Sequence, residues 1–341
     1  MTHRERVLKT FNFEETDRVP CDMMEGFVWR ELMDYFKSKY GFENGIQVLD
    51  FLDTDFRWTY MNYVGPQAPP SKSESDHILY SIPISNGPLS NASMISEIES
   101  YKFPDPEWWQ PPDFAKLREL WPDHALVLLS GWMPLFWSSC SAFGMEGALI
   151  KMLTEPEIYE AFIQRQHEFY MNILMRGVKA GREFCDICWL GDDFASQKAM
   201  LMSPELWRKH IKPYLAKQVQ LVRDNGMYVL YHSCGAVSEI LPDLIDIGVN
   251  ALLVFQTKAE GMDAQSIAKR FGGKLAFYGG IDIQQILSYG TIDDVRAEVR
   301  SNMEVFSDYG GYIVANSHHC VSTIKGENIE TMFQVVKESF I

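Results

Sequence analysis

The chain has no long apolar run. Although 46% of its 341 residues are hydrophobic, no stretch approaches the roughly 20 consecutive apolar residues that a membrane helix needs. Positive charge is also scarce: 31 Lys and Arg face 46 Asp and Glu, a formal net charge of −15. A surface of that sign repels nucleic acid and the anionic face of a membrane, so neither is an expected partner. The opening segment "MTHRERVLKTFNFEETDRVP" has no apolar signal-peptide core, and a soluble, cytoplasmic protein is expected. Cysteine is sparse. Cys21, Cys140, Cys185, Cys188, Cys234 and Cys320 are scattered along the chain, which argues against a disulfide framework and leaves metal ligation, catalysis or burial as their uses. Internal repeats and low-complexity linkers are absent, so residues 1–341 are expected to form one domain.

The second half alternates β-prone runs with helical stretches. "FCDICWLGDD" (184–193), "MYVLYHSCG" (227–235), "NALLVFQ" (250–256), "LAFYGGID" (275–282) and "YIVANSHHC" (312–320) read as strands. Between them lie segments with helix punctuation. Residues 203–226 open on Ser203 as N-cap and Pro204 in the first turn, are interrupted by Pro213 and stop at Gly226. Residues 291–310 open on Thr291, and the last helix runs over 327–340. With "RVPCDMM" (18–24) and "ALVLLSG" (125–131) this makes seven strands. Such alternation predicts βαβ units and a (β/α)₈ barrel with one strand unassigned. An insertion over about 65–115 is expected to hold a β-hairpin around Asn86-Gly87 and a loop rich in proline and tryptophan.

In a parallel barrel the site lies at the C-terminal strand ends. Those ends carry Asp192 and Asp193, then His232 and Cys234, Gln256, Asp282, and Asn316 through Cys320. Strand side chains alternate, so His232 and Cys234 aim at one point while Ser233 turns away. With Cys320 they form an N/S/S set that suits Zn²⁺ and leaves a fourth position open. The other reading of the same residues is a buried thiol beside a hydrogen-bonded imidazole. Cys185 and Cys188 form a C-x-x-C. Within a strand that spacing points them to opposite faces, so they are expected to be buried small hydrophobes.

"RERVLKTFNFEETDRVP", "SPELWRKHIKPYLAKQVQLVRDNG", "HSCG", "GGID" and "GENIETMF" together resemble the uroporphyrinogen decarboxylase superfamily over nearly the whole chain. The resemblance implies a single (β/α)₈ barrel. It also divides by chemistry. The metal-free decarboxylases carry an arginine-bearing segment after the first strand, which "CDMMEGFVWRE" (21–31) does not match. The zinc-dependent, corrinoid-linked methyltransferases hold zinc with an H-x-C pair and a later Cys, which His232, Cys234 and Cys320 match. The resemblance therefore implies a zinc enzyme that moves a methyl group between a small molecule and the cobalt of a corrinoid. A "DxHxxG" corrinoid motif is absent from the chain, so the corrinoid is expected on a partner protein.

Trp58, Tyr60, Tyr63, Trp108, Trp109, Trp132, Phe136 and Trp137 suggest stacking surfaces, hence a methoxylated aromatic as methyl donor. A thiol that accepts the methyl group from methylcorrinoid is the alternative, and a metal-free decarboxylase a further one. His319, Asp193 and Asp192 are the candidate catalytic residues. Gln256, Trp132, Trp58, Asn316 and Glu25 are candidate substrate contacts, with Glu25 also a possible fourth metal ligand. A homodimer is compatible with the sequence.

Overall fold

The computed structural model describes residues 1–66 and 87–339. Strands Phe56–Tyr60 (β1), Ala125–Leu129 (β2), Ile187–Gly191 (β3), Tyr228–His232 (β4), Ala251–Phe255 (β5), Ala276–Ile281 (β6) and Tyr312–Asn316 (β7) form one sheet. All neighbours are parallel and the spatial order follows the chain. Parallel neighbours need long crossovers, and helices supply them, as in βαβ units.

The sheet curls until its edges nearly meet. Segment 20–22 fills the gap. Val314 N–H donates to Pro20 O at 2.9 Å, Asp22 N–H to Val314 O at 3.0 Å, and Asp55 N–H to Cys21 O at 2.9 Å. The expected strand over 18–24 is therefore a single bridge at Cys21, and among the described residues the sheet has seven strands where eight were expected. Pro20 has no N–H to extend the ladder, and by Glu25 the backbone has turned to φ +55°. The strand unassigned from sequence is β1, "FRWTY". Arg57 breaks its apolar run, yet it is buried and donates to Thr54 Oγ1 and Asp50.

Alternation sorts the strand side chains into two cores. Phe56, Trp58, Val127, Ile187, Trp189, Leu230, Leu253, Tyr278 and Ile313 fill the barrel interior. Leu126, Leu128, Cys188, Leu190, Val229, Tyr231, Leu252 and Val314 pack outward against the helices. Cys185 and Cys188 are both buried in that outer layer. The expected burial holds, but the opposite facing does not, because β3 begins only at Ile187 and alternation does not reach Cys185.

Helix ends obey local chemistry. Ser203 accepts from Leu206 N–H, and Pro213 splits the predicted helix into Pro204–His210 and Lys212–Asp224. Thr291 caps Ile292–Ser307 with a capping box. The first arm of the expected hairpin lies outside the described residues. Its second arm is not a strand: residues 88–91 turn, and Ile95–Ser100 is a helix. Glu97 accepts from the N–H groups of Ser93 and Met94, satisfying donors at that helix start. The short antiparallel pair in this region joins Asn62–Tyr63 to Trp109–Gln110.

Candidate functional site

β4 carries His232 into the barrel because Leu230, two residues earlier, also faces inward. Gly191 sits beside His232 in the β3–β4 register. A Cβ on Gly191 would lie 2.8 Å from His232 Cβ and 3.0 Å from the Trp132 ring, so only glycine lets those side chains meet. Beyond His232 the ladder ends. Ser233 N–H still donates to Leu253 O at 2.8 Å, but Cys234 N–H donates to Asp193 Oδ1 at 2.9 Å. Gly235 then takes φ +82°, where a Cβ would strike Ser196 O at 2.4 Å. The "HSCG" turn is thus dictated by a close backbone approach.

Cys234 Sγ lies 3.6 Å from His232 Nε2. Asp193 Oδ1 lies 3.6 Å from the same nitrogen. Among the described residues these form the one group of ligand-type atoms all within 4.8 Å of one another. The other imidazole nitrogen faces away: His232 Nδ1 lies 3.1 Å from Glu25 Oε1. The second Glu25 oxygen is 3.1 Å from His319 Nε2. One buried carboxylate thereby joins two imidazoles. Burial alone would raise the Glu25 pKa, but hydrogen bonds from His232 and His319 outweigh it and hold the carboxyl at about 2. For His232 burial favours the neutral ring, and Glu25 and Asp193 override it to raise its pKa. Burial, reinforced by Asp193, pushes the Cys234 thiol well above the usual range. A thiolate here needs a compensating cation.

The remaining predicted residues divide. Cys320 stands outside the group of mutually close atoms. It is buried, with its Sγ 3.7 Å from Asn316 Nδ2. Asn316, an expected substrate contact, is a latch. Its Oδ1 accepts from Met24 N–H and its Nδ2 donates to His318 O. Asp192, an expected catalytic group, accepts from the N–H groups of Phe136, Trp137 and Asp193. It therefore satisfies the start of helix Leu135–Phe143. Trp58, an expected substrate wall, lies in the barrel interior and donates Nε1–H to Asp22 Oδ2 at 2.8 Å. Burial lifts the Asp22 carboxyl to about 7 against hydrogen bonds from Trp58 and Tyr278. Gln256 accepts from Gly235 N–H at 2.9 Å and from Gln197, and its amide donates toward Ser317 O. It ties the Cys234 turn to the loop after β7. Asp282 caps the turn at Gln284 and Gln285. Trp132 does reach the site, edge-on to His232 with ring centroids 5.1 Å apart.

His319, an expected proton donor, is turned toward Glu25 and packed edge-on by Phe27 and Trp29. The imidazole that faces open space is His318. With Cys234, Gln197, Gln256, Gln284 and Lys258 it lines a cavity of about 290 Å³. Burial, helped by His232 and His319, lowers the His318 pKa to about 4, so its ring is neutral near pH 7. The sequence held no signal separating His318 from His319, since both follow the same strand. Glu25 was legible only as an acid after the first barrel segment.

The family described as Uroporphyrinogen decarboxylase (URO-D) matches residues 138–339. Among curated proteins, a Methylcobamide:CoM methyltransferase MtaA of Methanosarcina barkeri is 31% identical over 127 residues, 37% of this chain and 34% of that protein. The MtaA of Methanosarcina barkeri strain Fusaro / DSM 804 is 34% identical over 130 residues, with the same shares. The match thus spans about a third of the curated relatives' own length. Among solved structures, a methyltransferase from Methanosarcina mazei superposes with a TM-score of 0.69 at 19% identity, covering 100% of both chains. That likeness is one of fold.

Proposed function

The chain belongs to the uroporphyrinogen decarboxylase family, and on that footing we propose that it is a zinc-dependent methyltransferase working with a corrinoid protein. The observation that carries this reading is the pairing of His232 Nε2 with Cys234 Sγ at 3.6 Å, with Nδ1 turned back to a carboxylate. A carboxylate behind a ligating imidazole is the usual support of a metal-bound histidine. His232 and Cys234 would hold the zinc; the third donor would be Cys320 by resemblance or Asp193 by proximity. Bound there, zinc supplies Lewis acidity, lowering the pKa of a substrate thiol or polarising the heteroatom of a methyl donor.

The protein's own groups do the rest. Glu25 fixes the His232 ring and leaves Nε2 as the free donor. Neutral His318 offers the substrate heteroatom a hydrogen bond from the cavity wall. Gln197, Gln284 and Lys258 present polar groups to the remainder of the substrate. This lining favours a methoxylated aromatic with polar substituents over one held by stacking alone. A thiol acceptor is the second reading, supported by the names of the curated relatives. A polycarboxylate is disfavoured, because Lys258, the cavity's cation, is paired with Glu298 at 3.0 Å. The corrinoid comes on a partner, and the exposed rings of Phe27, which packs against His319, and Tyr60, which packs against Phe27, are the contacts we expect it to use.

The test is an assay of zinc-loaded protein with Co(I) corrinoid and a panel of methoxyarenes, and with methylcorrinoid and a panel of thiols. Transfer in one direction, visible in the cobalt absorption spectrum, is expected. Zinc-loaded protein inert in both directions sinks the reading. Glu25→Gln should keep the fold but weaken zinc binding by about 10–100-fold, measured by competition with a chromophoric chelator. A glutamine has one acceptor oxygen for two imidazole N–H donors.

A further inference from the structure

The cavity beside His318 has two charged side chains on its wall, and a third group behind the wall cancels one of them. Among the described residues that line it, Lys258 is the one lysine or arginine and Asp282 the one carboxylate. Lys258 follows β5 and Asp282 follows β6. Glu298, on helix Ile292–Ser307, reaches both. One of its oxygens lies 3.0 Å from Lys258 Nζ, and the other accepts the Asp282 N–H at 2.9 Å. The Glu298 side chain is 10% exposed, against 57% for Lys258. Helix and backbone therefore hold the carboxylate in place, and the lysine comes to it. Thr257 and Lys258 also line a second groove of about 530 Å³, together with residues of helices Ala264–Phe271 and Ile292–Ser307. Asp263, Asp294 and Glu298 belong to that groove, so the negative charge around Lys258 draws it away from the cavity. We propose that Glu298 determines substrate specificity. By holding Lys258 it withholds the cavity's lysine from an incoming anion. The methyl donor is then a neutral molecule whose polar groups are hydroxyls or amides, and carboxylates, sulfonates and phosphates are rejected. This inference rests on the cavity being the substrate site of the proposed methyltransferase.

The cost of binding an anion follows from this arrangement. To recruit Lys258, the anion must break the ion pair and leave Glu298 largely buried without a counter-charge, which is expensive. An anion that leaves the pair intact meets Asp282 on the same wall, and like charges repel more strongly away from bulk water. A hydroxyl or amide meets neither penalty. Thr257 Oγ1 donates to Gly280 O at 3.3 Å, so its oxygen keeps lone pairs for a substrate O–H. Asp282 accepts the N–H groups of Gln284 and Gln285, and a carboxylate has room for further donors. The Gln284 side chain, also on the wall, can both donate and accept. Specificity thus comes from a repulsive element as well as from attractive ones.

The experiment measures binding of two probes of similar shape to the full chain by calorimetry, without corrinoid, so that the readout is independent of turnover. The probes are para-methoxybenzyl alcohol and para-methoxybenzoate. The wild type should bind the alcohol about tenfold more tightly than the benzoate. Glu298→Gln keeps an acceptor for the Asp282 N–H and removes the charge that holds Lys258. Benzoate should bind this variant about tenfold more tightly than the wild type, with the alcohol changed by less than about twofold. Adding Lys258→Met to Glu298→Gln should abolish the gain, which a general loosening of the cavity would not do. Circular dichroism confirms that each variant is folded. A wild type that binds benzoate as tightly as the alcohol, a folded Glu298→Gln with an unchanged ratio, or a wild type that binds neither probe overturns the inference. A wild type that prefers the alcohol but transfers no methyl group when given zinc and Co(I) corrinoid leaves this selectivity standing and overturns the methyltransferase. An active enzyme that demethylates both probes equally well does the reverse.

Discussion

Cys234→Ala should strip the metal and lower methyl transfer by about a thousandfold or more. Lewis-acid activation is worth several kcal/mol of barrier, and each 1.36 kcal/mol is tenfold in rate. The loss should exceed that of any other cysteine, because Cys234 alone among the six belongs to the close donor group and lines the cavity. His232→Ala should behave alike. Cys188→Ala is the control: its thiol is buried in the helix-facing core, and metal content should stay at one per chain. Metal analysis and the methyl-transfer rate, measured on the same preparations, check the expectation. A Cys234→Ala protein with full zinc and near-normal rate would show that the metal lies elsewhere.

The largest effect on stability is expected at the other end of the barrel. Asp55 is fully buried at the start of β1 and holds four groups at once. Arg6 and Arg18 donate to it, His3 Nδ1 lies 2.9 Å away, and Cys21 N–H donates at 2.7 Å. The cluster fastens the first helix, His3–Phe11, and the closing segment 20–22 to the strand beside them. Asp55→Ala leaves two guanidinium groups buried around a missing charge, which costs about 3–5 kcal/mol. The readout is the midpoint of denaturant unfolding. Burial works against the Asp55 carboxylate, but His3, Arg18 and Arg6 hold its pKa below the ordinary range. The hydrogen bond from Arg6 does the same for Asp17, to about 2. Both groups bind protons more readily unfolded than folded. Their stabilisation is therefore complete above the unfolded carboxylate pKa of about 4 and is lost as pH falls toward 2. The wild type should lose stability steeply over that interval, and Asp55→Ala less steeply. Parallel profiles would mean that Asp55 is not the group that titrates.

Much of this molecule is legible in its residues taken one segment at a time. Ser203, Pro204, Pro213 and Thr291 act within a turn or two of themselves, and the structure puts helix starts and a helix break where they stand. The apolar runs at 187–191, 228–232, 251–255, 276–281 and 312–316 are strands because they are buried on both faces. β1 is not legible as a strand in the sequence because Arg57 interrupts its apolar pattern. A buried charge that is met by Thr54 and by the surface carboxylate of Asp50 looks from sequence like a charge that needs water. Of the expected hairpin, the first arm and Asn86 lie outside the described residues, and the described second arm is not a strand. Its turn signal at Asn86-Gly87 is local, whereas Ile95–Ser100 is a helix whose Glu97 accepts from the N–H groups of Ser93 and Met94 just before it.

The candidate site divides in the same way. Two-residue spacing on a strand aims His232 and Cys234 at one point, a consequence of backbone geometry that needs no partner. What surrounds that point depends on chain segments far apart in sequence. Glu25 reaches His232 across 207 residues, and Cys234 meets Asp193 across 41. His318 and His319 are adjacent, yet one faces the cavity and the other Glu25. By itself the sequence determined a parallel barrel and the strand tip that carries an imidazole and a thiol, because alternation and helix punctuation are local. Only the tertiary structure decided which carboxylate joins them, which histidine faces the cavity and where Cys320 stands, because loop conformation and long-range hydrogen bonds exist only once the barrel has closed.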